Sequence, residues 1–299
     1  MKIVVSGATG QVGSKIVSQL IDRSDCELVL LSKRGIGLEE ASRKGATIYT
    51  GDIKEPAFLQ QALAEVDTFY LMFPPQNNVD DVIGHYRIIL ENAIAAIKQH
   101  HVSRVVLQSS YGSHRDRGTG SIVGTYLAEQ ALKTLEIDFT AIRPSYFMEN
   151  FLWFTNSIRE SDAIFLPVSG EASTCFIATQ DIANAATEII LDTQWHGNQI
   201  KELHGHCNLT FDRIAEIIGK ELNRPVKHIE LSDEEAISAF VAPQVGFSHT
   251  YAKAFIEIHR AIETQWLKPE FAHSQTTTEA MTFDRFVRAF LKPAIANTK

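Results

Sequence analysis

Cysteine is scarce in this 299-residue chain. Cys26, Cys175 and Cys207 are odd in number and far apart, so they describe no disulfide framework, and the cytosol is the expected compartment. Long hydrophobic runs are missing as well. No stretch approaches the roughly 20 apolar residues of a membrane span. At the N-terminus, Lys2-Ile3-Val4-Val5 meets turn chemistry at Ser6-Gly7, which suits a buried strand and is too short for a secretory leader. Nor is there a basic surplus: 28 Lys and Arg stand against 36 Asp and Glu, for a formal charge of -8. Direct wrapping of nucleic acid needs a dominant basic face and is therefore not expected. Repeats and low-complexity stretches are absent. What remains, 44% hydrophobic and 21% charged residues, is the composition of a globular chain. Its length suits one large domain or a domain with an appended lobe.

Short apolar runs alternate with helical patterns through the first half, the signature of βαβ units around a parallel sheet. Strands are expected at Lys2–Ser6, Glu27–Ser32, Ala46–Thr50, Thr68–Met72, Arg104–Ser109 and Asp138–Ile142. Helices are expected near Val12–Ile21, Leu38–Lys44, Pro56–Ala64, Val79–His100 and Ile122–Leu135. The fold class is thus α/β, a Rossmann-like doubly wound parallel sheet over residues 1–150. A smaller, mostly helical lobe is expected over 151–299, with elements that interleave with the first. Its strands are read at Thr174–Ala178 and Ile200–Leu203, and its helices at Gln180–Leu191, Phe211–Leu222 behind an N-cap at Thr210, Ala236–Phe240 behind a Ser232/Glu235 capping box, Tyr251–Trp266 and Glu279–Leu291.

The strongest chemical signal is Ser6-Gly7-Ala8-Thr9-Gly10-Gln11-Val12-Gly13, set between the first strand and the first helix. Glycines there permit a tight turn, close approach of backbone amides to a pyrophosphate and close helix–strand packing, while the helix offers the positive end of its dipole. Gly7, Thr9, Gly10, Gln11, Val12 and Gly13 are accordingly candidate dinucleotide contacts. An acid closing the second strand would select the free ribose hydroxyl of NAD. The strand ends instead in Ser32-Lys33-Arg34, a hydroxyl and two cations suited to a 2′-phosphate, so NADP(H) is favoured over NAD(H); a solvated basic loop is the alternative. Asp52 and Ile53 follow the third strand and suit an adenine ring. Phe73-Pro74 and Ser109 end the fourth and fifth strands, where a ligand cleft opens in such sheets.

Taken with the N-terminal turn, Lys33-Arg34 and Gly51-Asp52, the run Arg143-Pro144-Ser145-Tyr146-Phe147-Met148-Glu149-Asn150 resembles the NmrA-like family of atypical short-chain dehydrogenases/reductases. Leu209-Thr210-Phe211-Asp212-Arg213-Ile214-Ala215 and Arg224-Pro225-Val226 are similar to it too. The resemblance implies either an NAD(P)H-dependent quinone or dye reductase, or an NADP-sensing regulator that acts through a protein partner.

Ordinary short-chain dehydrogenases carry a Tyr-x-x-x-Lys pair on the helix after the fifth strand, whose phenol exchanges a proton with a carbonyl or alcohol. Aligned on Glu129, Leu132 and the Asp138–Arg143 strand, the tyrosine place falls on Ser121 and the lysine place on Thr125. Tyr126 is one residue away, about 100° around the helix. Alcohol dehydrogenation is therefore disfavoured, and a quinone, azo or triarylmethane acceptor suits a site that mainly positions a cofactor. Tyr111 and His114 are the catalytic candidates. Tyr111, Tyr146, Phe147, Asn150, Phe151 and Phe154 are the expected pocket residues, with Trp153 beside them, against the alternative that the aromatic cluster is core. His204-Gly205-His206-Cys207 matches no zinc spacing, and no metal is expected.

Overall fold

The short apolar runs form the strands of one sheet because each is buried on both faces. In β1 (Lys2–Ser6), Val4 belongs to the core on one side while Ile3 and Val5 belong to the core on the other, which is why the run lacks polar alternation. The computed structural model describes residues 1–271 and 280–297. The first half continues with β2 (Glu27–Ser32), β3 (Thr47–Thr50), β4 (Thr68–Leu71), β5 (Arg104–Gln108) and β6 (Asp138–Pro144). Helices α1 (Gly13–Leu20), α2 (Glu39–Arg43), α3 (Pro56–Ala62), α4 (Val82–His100) and α5 (Ile122–Leu132) connect them. Helix α4 starts later than its apolar pattern suggests, because the Asp81 side chain accepts from the Gly84 amide at 2.8 Å and caps it there.

Beyond Pro144 come β7 (Tyr146–Phe147), a 3-10 segment (Met148–Phe154), α6 (Thr155–Ser161), β8 (Ala163–Leu166), β9 (Ser173–Ile177), α7 (Thr179–Leu191) and β10 (Asn198–Leu203). Strand β10 returns to the main sheet and pairs with β6 in parallel, Asn198 opposite Phe139. The seven strands lie in the order β10-β6-β5-β4-β1-β2-β3, all parallel. Helices α3, α4 and α5 cover one face, and α1 and α7 the other. The sheet therefore draws on residues past 150, an interleaving set by the strand at Ile200–Leu203.

The remaining chain adds β11 (Asn208–Thr210), α8 (Phe211–Leu222), β12 (Lys227–Glu230), α9 (Asp233–Val241) and α10 (His249–Glu263). Thr210 caps α8 through the Arg213 amide, and the Ser232/Glu235 capping box forms. Strands β11, β9 and β7 make a three-stranded sheet, and β12 pairs with β8. A final helix runs over 283–297 with a π turn at Val287–Leu291; Glu279, expected to begin it, lies outside the described residues. This lobe has its own core, rich in phenylalanine: Phe151, Phe176, Phe211, Phe283 and Phe286. Among the described residues no helix is long and apolar enough to cross a membrane.

Candidate active site

The β1–α1 turn is built around contacts that leave no room for side chains. Gly7 has φ +64, and a Cβ on it would meet the Met72 Sδ at 2.6 Å. Gly10 donates its amide to the Gly7 carbonyl at 2.8 Å, and a Cβ on Gly13 would sit 2.2 Å from that same oxygen. The Ser14 amide bonds back to the Gly10 carbonyl at 3.0 Å, which places the amides of Gln11, Val12 and Gly13 at the open end of α1. No acidic residue occupies the first turn of that helix, so its positive end is left uncompensated.

Two cavities meet at this turn, sharing Gly7, Gly10, Met72 and Pro75. One, of about 430 Å³, runs along the ends of β2 and β3 and is lined by Thr9, Ser32, Lys33, Asp52, Ile53 and Pro74 among others. Lys33, its side chain 73% exposed, reaches Asp52 at 3.6 Å. Partial burial works against ionisation of Asp52, but the Lys54 amide and the Lys54 and Lys33 ammonium groups hold its carboxyl below the usual range. Ser32 faces Thr9 at 3.4 Å and accepts from the Gly35 amide at 3.2 Å. Arg34 was expected beside Lys33 at a 2′-phosphate, yet it lies outside the lining of both cavities, exposed to solvent. Strand β2 ends at Ser32, and the chain bends at Lys33 and Arg34, which leaves Lys33 in the cavity lining and Arg34 outside it.

The second cavity, of about 520 Å³, lies over β1, β4, β5 and β6 and takes in Gln11, Val12, Gly13, Phe73, Ser109 and Tyr111. Its wall from the small lobe follows the 3-10 helix. With three residues per turn, side chains three apart share a face: Phe147, Asn150 and Trp153 line the cavity, Trp153 with 59% of its surface exposed. Met148, Phe151 and Phe154 turn to the phenylalanine core instead. Phe151 and Phe154, expected in the pocket, are thus core residues. Aromatic type alone does not distinguish the two faces; the period does.

Tyr146 lines the cavity and hydrogen-bonds His259 at 3.2 Å. His259 places Nδ1 2.8 Å from the Phe255 carbonyl, so Nδ1 carries the proton, and Tyr146 donates to Nε2. Complete burial holds this imidazole down to about 4, neutral at physiological pH. His259 belongs to α10, which roofs the cavity with Tyr251, Ala254, Phe255, Ile258, His259 and Ile262. These residues went unassigned as site residues in the sequence, although their helical spacing marks one stripe of a helix. Ser248 fixes the roof in place: it caps α10 through the Tyr251 amide at 3.0 Å and donates its own amide to the Asn77 carbonyl at 2.8 Å, in the β4–α4 loop.

The two catalytic candidates separate. Tyr111 lines the cavity with its ring edge-on to His204 at 6.1 Å, and burial raises its phenol above the ordinary range. His114 does not line it. Positive φ at Gly112 turns the loop away, and His114 comes to lie with Glu202 and Glu270, its imidazole held below the ordinary value by burial and by Arg115. The two carboxylates face the guanidinium of Arg143, Glu202 at 3.6 Å. Arg143, 1% exposed, is also clasped by Glu129 through bonds of 2.8 and 2.7 Å. Glu129 in turn accepts from the Ser109 hydroxyl at 2.6 Å, so this buried network sets the end of β5 in the cavity wall. The Thr125 hydroxyl is engaged with Ser113 at 2.7 Å and with the Ile122 carbonyl at 2.8 Å. His204 sits 3.1 Å from Glu202.

A parallel sheet with open helix amides at its first turn, Cβ-free space beside them and a deep cleft along the strand ends defines the dinucleotide-binding class of α/β proteins. Within that class the chain belongs to the NmrA-like family, whose model matches residues 1–287. It is 27% identical to the NAD(P)H azoreductase of Xenophilus azovorans over 96% of this chain and 97% of that protein. In structure it resembles the triphenylmethane reductase of Citrobacter sp. complexed with NADP(H), with TM-score 0.78 and 21% identity over 98% and 99% of the two chains. It also resembles the NADPH-dependent quinone oxidoreductase of Escherichia coli complexed with NADPH, with TM-score 0.78 and 21% identity over 96% and 98%.

Proposed function

We propose that the protein is a cytosolic NADP(H)-dependent reductase that delivers hydride to a flat, conjugated acceptor without anionic groups, such as a quinone, an azo compound or a triarylmethane cation. The observation that carries this reading is the 520 Å³ cavity, which opens directly from the glycine turn and, among the described residues, has no Asp, Glu, Lys or Arg in its lining. The dinucleotide fits the first βα turn: the amides of Gln11, Val12 and Gly13 and the dipole of α1 would hold the pyrophosphate, and Lys33 the 2′-phosphate. Bound there in reduced form, it supplies the hydride. The chain's own residues orient the acceptor and exclude water. Phe147 and Trp153 from one side and Tyr251 and Phe255 from the other offer aromatic faces, and α10 roofs the space. With Ser121 and Thr125 at the places of the dehydrogenase pair, no ammonium-activated phenol serves alcohol chemistry. The named activities of the azo, dye and quinone reductases that resemble this chain support the same reading, as do three free thiols the cytosolic compartment. A sensor acting through a protein partner would not require an open, apolar cavity of this size.

NADPH oxidation, followed by its ultraviolet absorbance, is expected to depend on an added quinone or dye. Because an anion would enter this cavity with no counter-charge, kcat/KM for a sulfonated naphthoquinone should fall at least about tenfold below that of the parent compound. No acceptor-dependent oxidation across such a panel would remove the reading.

Coenzyme choice gives a second test. Lys33→Ala is expected to raise the Kd for NADPH by about tenfold, roughly one charge-assisted contact, and to leave the Kd for NADH unchanged. Arg34→Ala, outside the cavity, should change the Kd for NADPH less than about threefold. Equal effects on the two coenzymes would refute the assignment of Lys33.

A further inference from the structure

We propose that Tyr86 presents its hydroxyl to the acceptor and hydrogen-bonds the oxygen or nitrogen on which negative charge collects as the hydride arrives. The proposal rests on the reductase reading and adds to it the residue that stabilises the product anion. Tyr86 comes from α4, not from the helix where short-chain dehydrogenases place their tyrosine, and it reaches the cavity by crossing α5 at Gly124. A Cβ on Gly124 would stand 2.3 Å from the Tyr86 Cγ, so the missing side chain is what lets the ring lie there. Phe73 stacks on that ring at 5.2 Å and 29°, and His85 meets it edge-on at 5.9 Å. Tyr86, held between them, and Ser121 both line the cavity. Ser121, the N-cap of α5, occupies the place where the sequence register sets the dehydrogenase tyrosine. A neighbouring helix thus brings a phenol into the cavity that α5 itself does not supply.

Of the other cavity tyrosines, Tyr146 donates to His259, Tyr111 lies edge-on to His204 at 6.1 Å, and Tyr251 comes from the roof helix α10. Burial, reinforced by Tyr251, keeps the Tyr86 phenol protonated, with Ser121 only partly offsetting it. Among the described residues no lysine or arginine lines the cavity to draw the proton off. Tyr86 is therefore a neutral donor that keeps its proton. The hydride carries two electrons to the acceptor; a quinone becomes the hydroquinone monoanion, and water supplies the proton that completes it. A triarylmethane cation takes hydride at its central carbon and becomes neutral, so it forms no anion and needs no proton.

That difference makes the test. In Tyr86→Phe, which keeps the ring and its stacking, kcat/KM for a naphthoquinone should fall about tenfold to a hundredfold, and for a triarylmethane dye less than about threefold. An independent readout uses the dead-end complex with NADP⁺ and the oxidised quinone. Its infrared carbonyl band should lie at lower frequency in the wild type than in Tyr86→Phe. An equal fall with both acceptors, an unchanged quinone rate, or identical carbonyl bands would overturn the proposal. If the wild type oxidised NADPH with neither acceptor, the reductase reading itself would fail, and the carbonyl bands would decide the contact at Tyr86 separately.

Discussion

Alanine in place of Gly13 is expected to weaken dinucleotide binding by at least about a hundredfold, close to 2.7 kcal/mol. It should also lower the unfolding free energy by about 1–3 kcal/mol. The added methyl would stand 2.2 Å from the Gly7 carbonyl oxygen, 2.9 Å from the Gly7 carbonyl carbon and 3.2 Å from the Ala8 Cα. All three neighbours are backbone, so none can swing aside as a side chain would. The only relief is to push α1 away from the turn, which moves the amides of Gln11, Val12 and Gly13 from the place where a pyrophosphate would meet them. Titration calorimetry with NADPH and thermal unfolding of the same sample measure the two effects. An affinity within threefold of wild type would show that the turn does not hold the dinucleotide.

Glu129→Ala is expected to cost about 3 kcal/mol of stability, the low end of the range for breaking a buried ion pair. The cost arises because the guanidinium of Arg143 stays buried after its two bonds to Glu129 are gone. It stays at the low end because Glu202, 3.6 Å away, and Glu270 still face the same group. Replacing the pair together, Glu129→Leu with Arg143→Met, should recover only part of the loss, since the guanidinium is gone but Glu202 stays buried without it. Urea unfolding of the single and double variants gives the comparison. A single variant within about 0.5 kcal/mol of wild type would mean that the network carries no stability. Quinone reduction should also fall in Glu129→Ala, because the Ser109 hydroxyl in the cavity wall loses its acceptor.

The grouping of residues around the glycine turn and the strand ends was largely legible in the chain. Each candidate named there lines one of the two cavities, Arg34 excepted. The reason is that a βα turn is a local object: Gly7, Gly10 and Gly13 are read from their spacing, and Ser32, Asp52, Phe73 and Ser109 from the strand ends they follow. The acceptor side was legible only in part. Phe147 and Asn150 line the cavity, but Phe151 and Phe154 do not, since their face depends on a 3-10 period that composition does not announce. His114 follows Tyr111 by three residues, yet the turn at Gly112 sends it to Arg143 and its carboxylates.

Sequence alone determined six of the seven strands of the parallel sheet, the glycine turn that opens it, the cationic strand end and the residues, Ser121 and Thr125, at the places of the dehydrogenase pair. All of these are patterns within one element or across one turn, where chain connectivity sets the geometry. Tertiary structure decided the rest: that Ile200–Leu203 joins the same sheet as β10, that α10 roofs the cavity, that Tyr146 meets His259 across 113 residues of chain, that Glu129 neutralises Arg143, and that Tyr86 reaches the cavity across Gly124 of α5. Those contacts join residues from separate elements. Only the close packing of the lobe against the sheet selects which residues meet, because many pairings satisfy the same hydrophobic pattern and few fill the same space.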